Sequence, residues 1–202
     1  LCHARLELQQ GVSLDHLRGL YAAATCSRRD PIDGTPAFRT DPGQVFSVQH
    51  EGFRGILDRL VEARPTSVPV SHLLDILGSD VADSDAAAML SGLLHSAALE
   101  FTSHPFHCTT HAGERPCASN LARHQAASGL VTNAVHRPVG IQDPVEQHLL
   151  PLLDGTRTRA ELVAMLQKRL TPGKPLGEAE WLALVEDRLG HLARQGLLVP
   201  PA

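Results

Sequence analysis

A stretch of fourteen residues near the middle of the chain carries the side chains best suited to chemistry. His104, His107, Cys108, His111 and Cys117 all fall within the sequence HPFHCTTHAGERPC. Zinc in proteins takes four nitrogen or sulfur ligands in a tetrahedron, usually as closely spaced pairs. His104-x-x-His107 and Cys108-x-x-His111 have this spacing. The stretch therefore raises the hypothesis of a zinc-binding module.

The adjacent placement of His107 and Cys108 argues against a shared metal ion. Neighbouring side chains of an extended strand point to opposite faces, and Phe101 and Phe106 fit a hairpin packed on helices. The chain has twelve histidines, so a local group of them is less informative. We predict a polar hairpin with a partly buried Cys108 and no metal ligands, and we keep zinc binding through His104–Cys117 as the alternative.

Other catalytic chemistry finds little support in the sequence. There is no Gly-x-Ser-x-Gly elbow for a nucleophilic serine. Cys2 and His3 are adjacent, and adjacent residues rarely form a productive dyad. No glycine-rich loop follows a strand, so neither a nucleotide nor S-adenosylmethionine has an obvious cradle. We predict no catalytic and no cofactor-binding residue in this chain, which is then not an enzyme by itself.

Composition narrows the class of protein. The chain has 202 residues, 43% of them apolar, with a net charge of −4, so no global field attracts it to nucleic acid or anionic lipid. No apolar run approaches the ~20 residues of a membrane helix, and no secretory signal opens the chain. The four irregularly spaced cysteines indicate reduced thiols and a cytoplasmic location. Because the chain begins at Leu1 without Met, we expect it to be a piece of a longer protein.

Hydrophobic periodicity predicts two groups of short helices. Residues 1–25 are predicted helical, 28–43 form a loop-rich connector, and 45–48 form a short strand. Helical stripes then run over Phe53–Val61, Val70–Leu77 and Ala86–Ala97, followed by extended segments at 99–102 and 106–110. Three helices followed by a hairpin is the order of a winged helix.

The same order of three helices and an extended segment is predicted again near the C-terminus. Helical stripes begin at Val145, at Leu162 and at Trp181, and an extended segment follows at 197–199. Thr158 and Glu161 fit a capping box, and Pro172–Pro175 reads as a loop. We predict a mostly helical α+β fold with two winged-helix-like units and an N-terminal helical arm. The predicted domains are 1–43, 44–142 and 143–202.

A winged helix raises the question of DNA binding, which charge disfavours. The chain has no Lys or Arg between Arg64 and Arg115, whereas phosphate contacts need basic side chains. That span instead contains Asp80, Asp83 and Asp85 at the start of the third helix. A DNA-binding regulator is therefore the disfavoured alternative, and a groove beside this acidic helix could attract a lysine-rich protein substrate.

Several phrases, taken in order, resemble one family. They are Leu1-Cys2-His3-Ala4, Glu114–Ser119 with Leu121–Arg123 and Gln125–Ala127, Val131–Val139, and Leu149–Arg157. Together they resemble the downstream half of bacterial class I methyltransferases that carry a methyltransferase regulatory domain and a C-terminal winged-helix unit. Rickettsial protein lysine methyltransferases that modify outer-membrane proteins belong to this group.

The resemblance implies a function for the whole protein. An N-terminal domain of the same polypeptide would bind S-adenosylmethionine and transfer the methyl group, and this half would bind the protein substrate or mediate homodimer contacts. Arg115, Asn133 and His136 fall in the matched phrases and are expected to order the link between units, with His136 a structural residue. Arg157 is expected mainly to help a helix stop and restart, with a docking role as the alternative.

Overall fold

The structure, a computed structural model, combines helices and short strands, which confirms the predicted α+β class. It describes residues 12–78, 81–170 and 176–200. The strand pairs within these residues are all antiparallel. Among the described helices, none has both the length and the apolar character that crossing a bilayer requires.

Backbone contacts divide the chain into two compact units. Unit 1 takes the described parts of Leu1–Ala63 and Ser67–Pro105, and unit 2 takes Arg64–Thr66 and the described part of Phe106–Ala202. The main division between the units thus follows Pro105, whereas the predicted domain limits lie at 43/44 and 142/143.

Unit 1 is built from four helices and two small sheets. Its elements are α1 (Leu14–Arg18), β1 (Tyr21–Ala24), β2 (Cys26–Ile32), β3 (Thr35–Thr40), β4 (Val45–Ser47), α2 (Glu51–Ala63), β5 (Val68–Pro69), α3 (Val70–Leu77), α4 (Asp83–His95) and β6 (Leu99–Thr102). The three predicted helical stripes correspond to α2, α3 and α4, and their apolar faces share one core. Met89 and Leu94, expected on the buried face of α4, are instead exposed.

The N-terminal part of unit 1 corrects two predictions. The predicted helix over 1–25 covers only Leu14–Arg18 within the described residues, and residues 1–11 lie outside them. Tyr21–Ala24 is instead the central strand of the sheet β5-β1-β6. Alanine prefers helices, but pairing with two neighbouring strands overrides that weak preference.

The predicted connector 28–43 is also wrong, because it contains the antiparallel strands β2 and β3. Asp33 and Gly34 join them with φ angles of 49° and 76°, the left-handed turn that a two-residue hairpin favours. Every residue of β2 after Cys26 is exposed, so the strand shows no apolar alternation in the sequence.

The predicted hairpin of 99–102 with 106–110 does not form. β6 pairs with β1, with Leu99 opposite Ala24 and Thr102 opposite Tyr21. Residues 106–110 are irregular, and the Thr109 amide donates to the carbonyl of Leu198 at 3.0 Å. The strand partner of β6 therefore comes from far away in the sequence, which local periodicity does not show.

Unit 2 combines four helices with two pairs of strands among the described residues. Its elements are β7 (Cys117–Ala118), α5 (Asn120–Gln125), β8 (Leu130–Thr132), β9 (Pro138–Gly140), α6 (Pro144–Leu149), α7 (Arg159–Arg169), α8 (Glu178–Arg194) and β10 (Leu198–Val199), with 3₁₀ turns at Ala126–Ser128 and Leu150–Leu152. β10 pairs with β7, and β8 pairs with β9. The predicted stripes of α6, α7 and α8 meet in one core, and the predicted loop Pro172–Pro175 lies outside the described residues.

The predicted capping box at the start of α7 is confirmed. Thr158 Oγ1 accepts a hydrogen bond from the Glu161 amide at 3.4 Å, and Glu161 Oε2 accepts one from the Thr158 amide at 2.8 Å. Two amides of the first turn, which have no partner within a helix, are thereby satisfied.

Replacing Thr158 with Ala should lower the free energy of unfolding of unit 2 by about 1 kcal/mol, since the capping oxygen is lost. Thr158→Ser keeps the oxygen and should retain most of the stability. Urea unfolding followed by the fluorescence of Trp181, the only tryptophan of the chain and buried in α8, measures the change. Equal stabilities of the Ala and Ser variants would contradict the role assigned to the cap.

Candidate functional site

Two of the candidate arginines meet at one turn of unit 2, between α6 and α7. Arg157 Nη1 donates to the Leu152 carbonyl at 3.1 Å and to Asp154 Oδ2 at 2.5 Å. Arg115, from the segment before β7, donates to the carbonyl of Thr156. The turn is therefore stabilised by hydrogen bonds from two guanidinium groups, those of Arg115 and Arg157, which are distant in the sequence. This geometry agrees with the expected helix stop and restart at Arg157.

Asp154 holds the same turn from within. Its Oδ1 accepts hydrogen bonds from the Thr156 amide at 3.0 Å and the Thr156 hydroxyl at 2.6 Å. The Thr156 hydroxyl, followed by its amide and by Arg157, lowers the pKa of Asp154 from 3.8 to about 2, although partial burial opposes the shift. Asp154 is thus an anchor for the turn that requires its negative charge.

A cleft of about 390 Å³ opens beside this turn, within unit 2. Its walls come from Thr109 and His111–Cys117, from Gly155, and from Leu198–Pro200. Part of the histidine- and cysteine-rich stretch therefore lines a cleft, together with the exposed guanidinium of Arg115. Cys117 is partly buried there, and its Sγ lies 3.6 Å from the position that a Cβ on Gly155 would take.

The rest of that stretch does not converge on one point. His104 belongs to unit 1, whereas His107, Cys108, His111 and Cys117 belong to unit 2. Within residues 12–78, 81–170 and 176–200, no three His, Cys, Asp or Glu side chains are arranged to hold a metal ion. Burial raises the pKa of the Cys108 thiol to about 11, which disfavours the thiolate that zinc binds.

Asn133 connects the β8–β9 loop to the end of α8. Its Nδ2 donates to the Gln195 carbonyl at 2.8 Å, and its Oδ1 accepts from the amides of Val135 at 3.1 Å and Arg137 at 2.9 Å. The side chain is buried, so these bonds are not replaced by water. Asn133 therefore orders contacts inside unit 2.

His136 lies in the same loop with its side chain exposed. Its φ of 59° is in the left-handed region, and its amide donates to the Asn133 carbonyl at 3.0 Å. The structure thus shows a backbone role for this residue.

The acidic candidates lie at the first turn of α4 in unit 1, except Asp80, which is outside the described residues. Asp83 and Asp85 are exposed there, where carboxylates favour the positive end of the helix dipole. Asp83 and Asp15 line a cleft of about 470 Å³ between α1 and α4. Arg18 of α1 lies 3.8 Å from Asp15 and 4.0 Å from Asp83. Sequence reasoning missed this nearby cation, because it comes from 65 positions earlier than Asp83 (83 minus 18).

Comparison with known proteins identifies one family model that part of this chain matches and solved structures with a similar fold. Residues 114–181 match the family model "PKMT, C-terminal winged helix domain", so a winged-helix unit of this type lies within unit 2 and spans the predicted 142/143 limit. Solved structures of PKMT2 from Rickettsia typhi, one of them in complex with AdoHcy, are similar with a TM-score of 0.72 and 17–18% sequence identity. They match 98% of this chain, which spans 46% of theirs. A search of curated proteins found no match.

The charge of Asp154 should stabilise unit 2 above pH ~4 and lose this effect as the pH falls toward 2, since the folded pKa of about 2 lies below the ordinary 3.8. The wild-type chain should therefore exceed Asp154→Asn in urea midpoint at pH 6, and the gap should narrow between pH ~4 and ~2. Trp181 fluorescence measures both midpoints. A gap that stays constant down to pH 2.5 would contradict the role of the charge.

Asn133→Ala should cost about 1–3 kcal/mol of unfolding free energy, because a buried carbonyl and two amides lose their partner. His136→Asn, in the same loop but exposed, should change stability by less than about 0.5 kcal/mol, since Asn tolerates the left-handed backbone. The two variants are compared by urea unfolding. A similar loss in both would mean that the loop as a whole, and not Asn133, determines the stability.

Proposed function

We propose that this chain is a noncatalytic, regulatory and substrate-docking region of an S-adenosylmethionine-dependent methyltransferase that acts on proteins. The observation that carries the proposal is the fold likeness over 98% of the chain to 46% of PKMT2 from Rickettsia typhi, together with the PKMT winged-helix match at 114–181. The methyltransferase domain would be part of the same polypeptide.

The topology supports a separate site for methyl transfer. A dinucleotide-type α/β domain binds its cofactor at the carboxyl ends of parallel strands, beside a glycine-rich loop. In the described ranges, the strands pair only in antiparallel fashion. AdoHcy, present in one of the similar structures, is what S-adenosylmethionine becomes after losing its methyl group. We therefore assign cofactor binding and catalysis to the other domain.

The cleft between α1 and α4 is the proposed docking surface for a lysine-bearing segment of the protein substrate. The side chains of Asp15 and Asp83 are 89% and 73% exposed, so they can receive an ammonium group from solution. The distances of Arg18 to both carboxylates exceed those of a tight hydrogen bond. Arg18 is therefore held weakly and can give way to a substrate lysine.

Reversing Asp15 and Asp83, the two carboxylates that line the cleft, to Lys in the full methyltransferase should raise the KM for the protein substrate roughly threefold to tenfold, as expected for the loss of one or two exposed ion pairs. The KM for S-adenosylmethionine should not change. Steady-state kinetics with a lysine-rich protein substrate measures both constants.

Asp30→Lys combined with Glu62→Lys provides a control with the same change in net charge. Both residues are exposed in unit 1, and neither lines the cleft. Thermal unfolding of each variant separates an effect on docking from damage to the first turns of α1 and α4. An unchanged KM for the protein substrate would rule out this docking surface, and equal effects of the control would show a response to net charge alone.

A further inference from the structure

We propose that His191 forms a pH-responsive connection between α6 and the C-terminal end of α8. Its ring Nδ1 lies 2.5 Å from Glu146 Oε1, and its Nε2 lies 3.2 Å from the Gln195 amide nitrogen. The ring thus lies between a carboxylate of α6 and an amide just past the end of α8. This device is separate from the proposed docking role.

The stability of unit 2 depends on this connection because the carboxylate of Glu146 is buried. Its side chain is only 3% exposed, whereas that of His191 is 43% exposed. A buried carboxylate is costly unless a cation or several donors satisfy it. Imidazole is the side chain whose charge ordinarily changes between pH 5 and 8. Protonation of the His191 ring would therefore change the partner of Glu146 from a neutral imidazole to a cation.

The side-chain amide of Gln195 can take two orientations, one for each protonation state of the His191 ring. When the ring is neutral with its proton on Nδ1, Nε2 accepts a hydrogen bond from the amide NH₂. Among the described residues, none then donates to the buried Gln195 Oε1. When both ring nitrogens carry protons, Nε2 needs an acceptor, and a half-turn of the amide brings Oε1 to it. Protonation of the His191 ring thus gives Gln195 Oε1 a hydrogen-bond donor, which it lacks among the described residues when the ring is neutral.

Other charged groups surround the connection, and most are paired or exposed. Asp143 pairs with Arg188 at 2.9 Å between α6 and α8, and Arg159 of α7 pairs with Glu186. The 3₁₀ turns packed on α6 contain no titratable side chain. The remaining charged side chains of α7 and α8 are exposed, as is His148 of α6; the loop at Gln195 adds His136 and Arg137. Carboxylates and guanidinium groups do not ordinarily titrate between pH 5 and 8, whereas imidazole does.

The response reaches beyond the two helices. The backbone carbonyl of Gln195 accepts the Asn133 side chain at 2.8 Å. Fixing the Gln195 side chain on a protonated ring therefore also fixes the residue that binds the β8–β9 loop. Unit 2 should accordingly be most stable at low pH within this range and lose stability as the pH rises.

Urea unfolding of the 202-residue chain at pH 5.5 and 8.0, followed by Trp181 fluorescence, tests the proposal. The unfolding equilibrium constant of wild type should be roughly tenfold smaller at pH 5.5, the size of one charge-assisted hydrogen bond. His191→Gln, which still reaches Glu146 with an uncharged donor, should lose this difference. His148→Gln, an exposed histidine of the same region, should retain it. A His191→Gln chain with the full pH dependence would overturn the proposal.

Nitrogen chemical shifts of the His191 ring in the wild-type chain decide the question even where the variant does not fold. We expect protons on both ring nitrogens at pH 5.5 and on one at pH 8.0. A ring that keeps one protonation state across this range would overturn the proposal.

Discussion

The backbone carbonyls just past the C-terminal end of α8 have no hydrogen-bond donor within the helix. The organisation of unit 2 depends on the groups that donate to them. Asn133 donates to the Gln195 carbonyl, and the Ala134 amide donates to that of Gly196 at 2.9 Å. Gly196 has a φ of 71°, which lets the chain reverse into β10. The β8–β9 loop, the last helix and the final strand are thereby held at one point.

The helices of both units could be predicted because each buries one apolar stripe. Phe53, Leu73 and Leu90 in unit 1, and Leu162 and Leu189 in unit 2, are all fully buried on faces with helical spacing. The capping oxygen of Thr158 was equally visible, since its partner is three residues away. Both signals lie within a few neighbouring residues of the sequence, and the structure contains the helices and the cap that they predict.

The strands and the candidate site depend on pairings between distant residues. β1 is alanine-rich, and its strand partners lie 46 or more positions later in the sequence (Val68 minus Ala22). Arg115 and Arg157 are 42 positions apart in the sequence (157 minus 115), and the fold brings both to the Asp154 turn. Arg18 beside Asp83 and His191 beside Glu146 were likewise invisible. Spacing in the sequence carries no information on such contacts.

The path of the chain has a consequence for how such a module can be transferred between genes. Residues 64–66 belong to unit 2 although unit 1 surrounds them in the sequence. Pro65 lies against Gly196, where an added Cβ would come within 3.2 Å of its ring. Recombination after Pro105 would move most of unit 2 but leave this piece behind. Inheritance of the two units as one block preserves the packing at Gly196, and a simple exchange of the C-terminal segment does not.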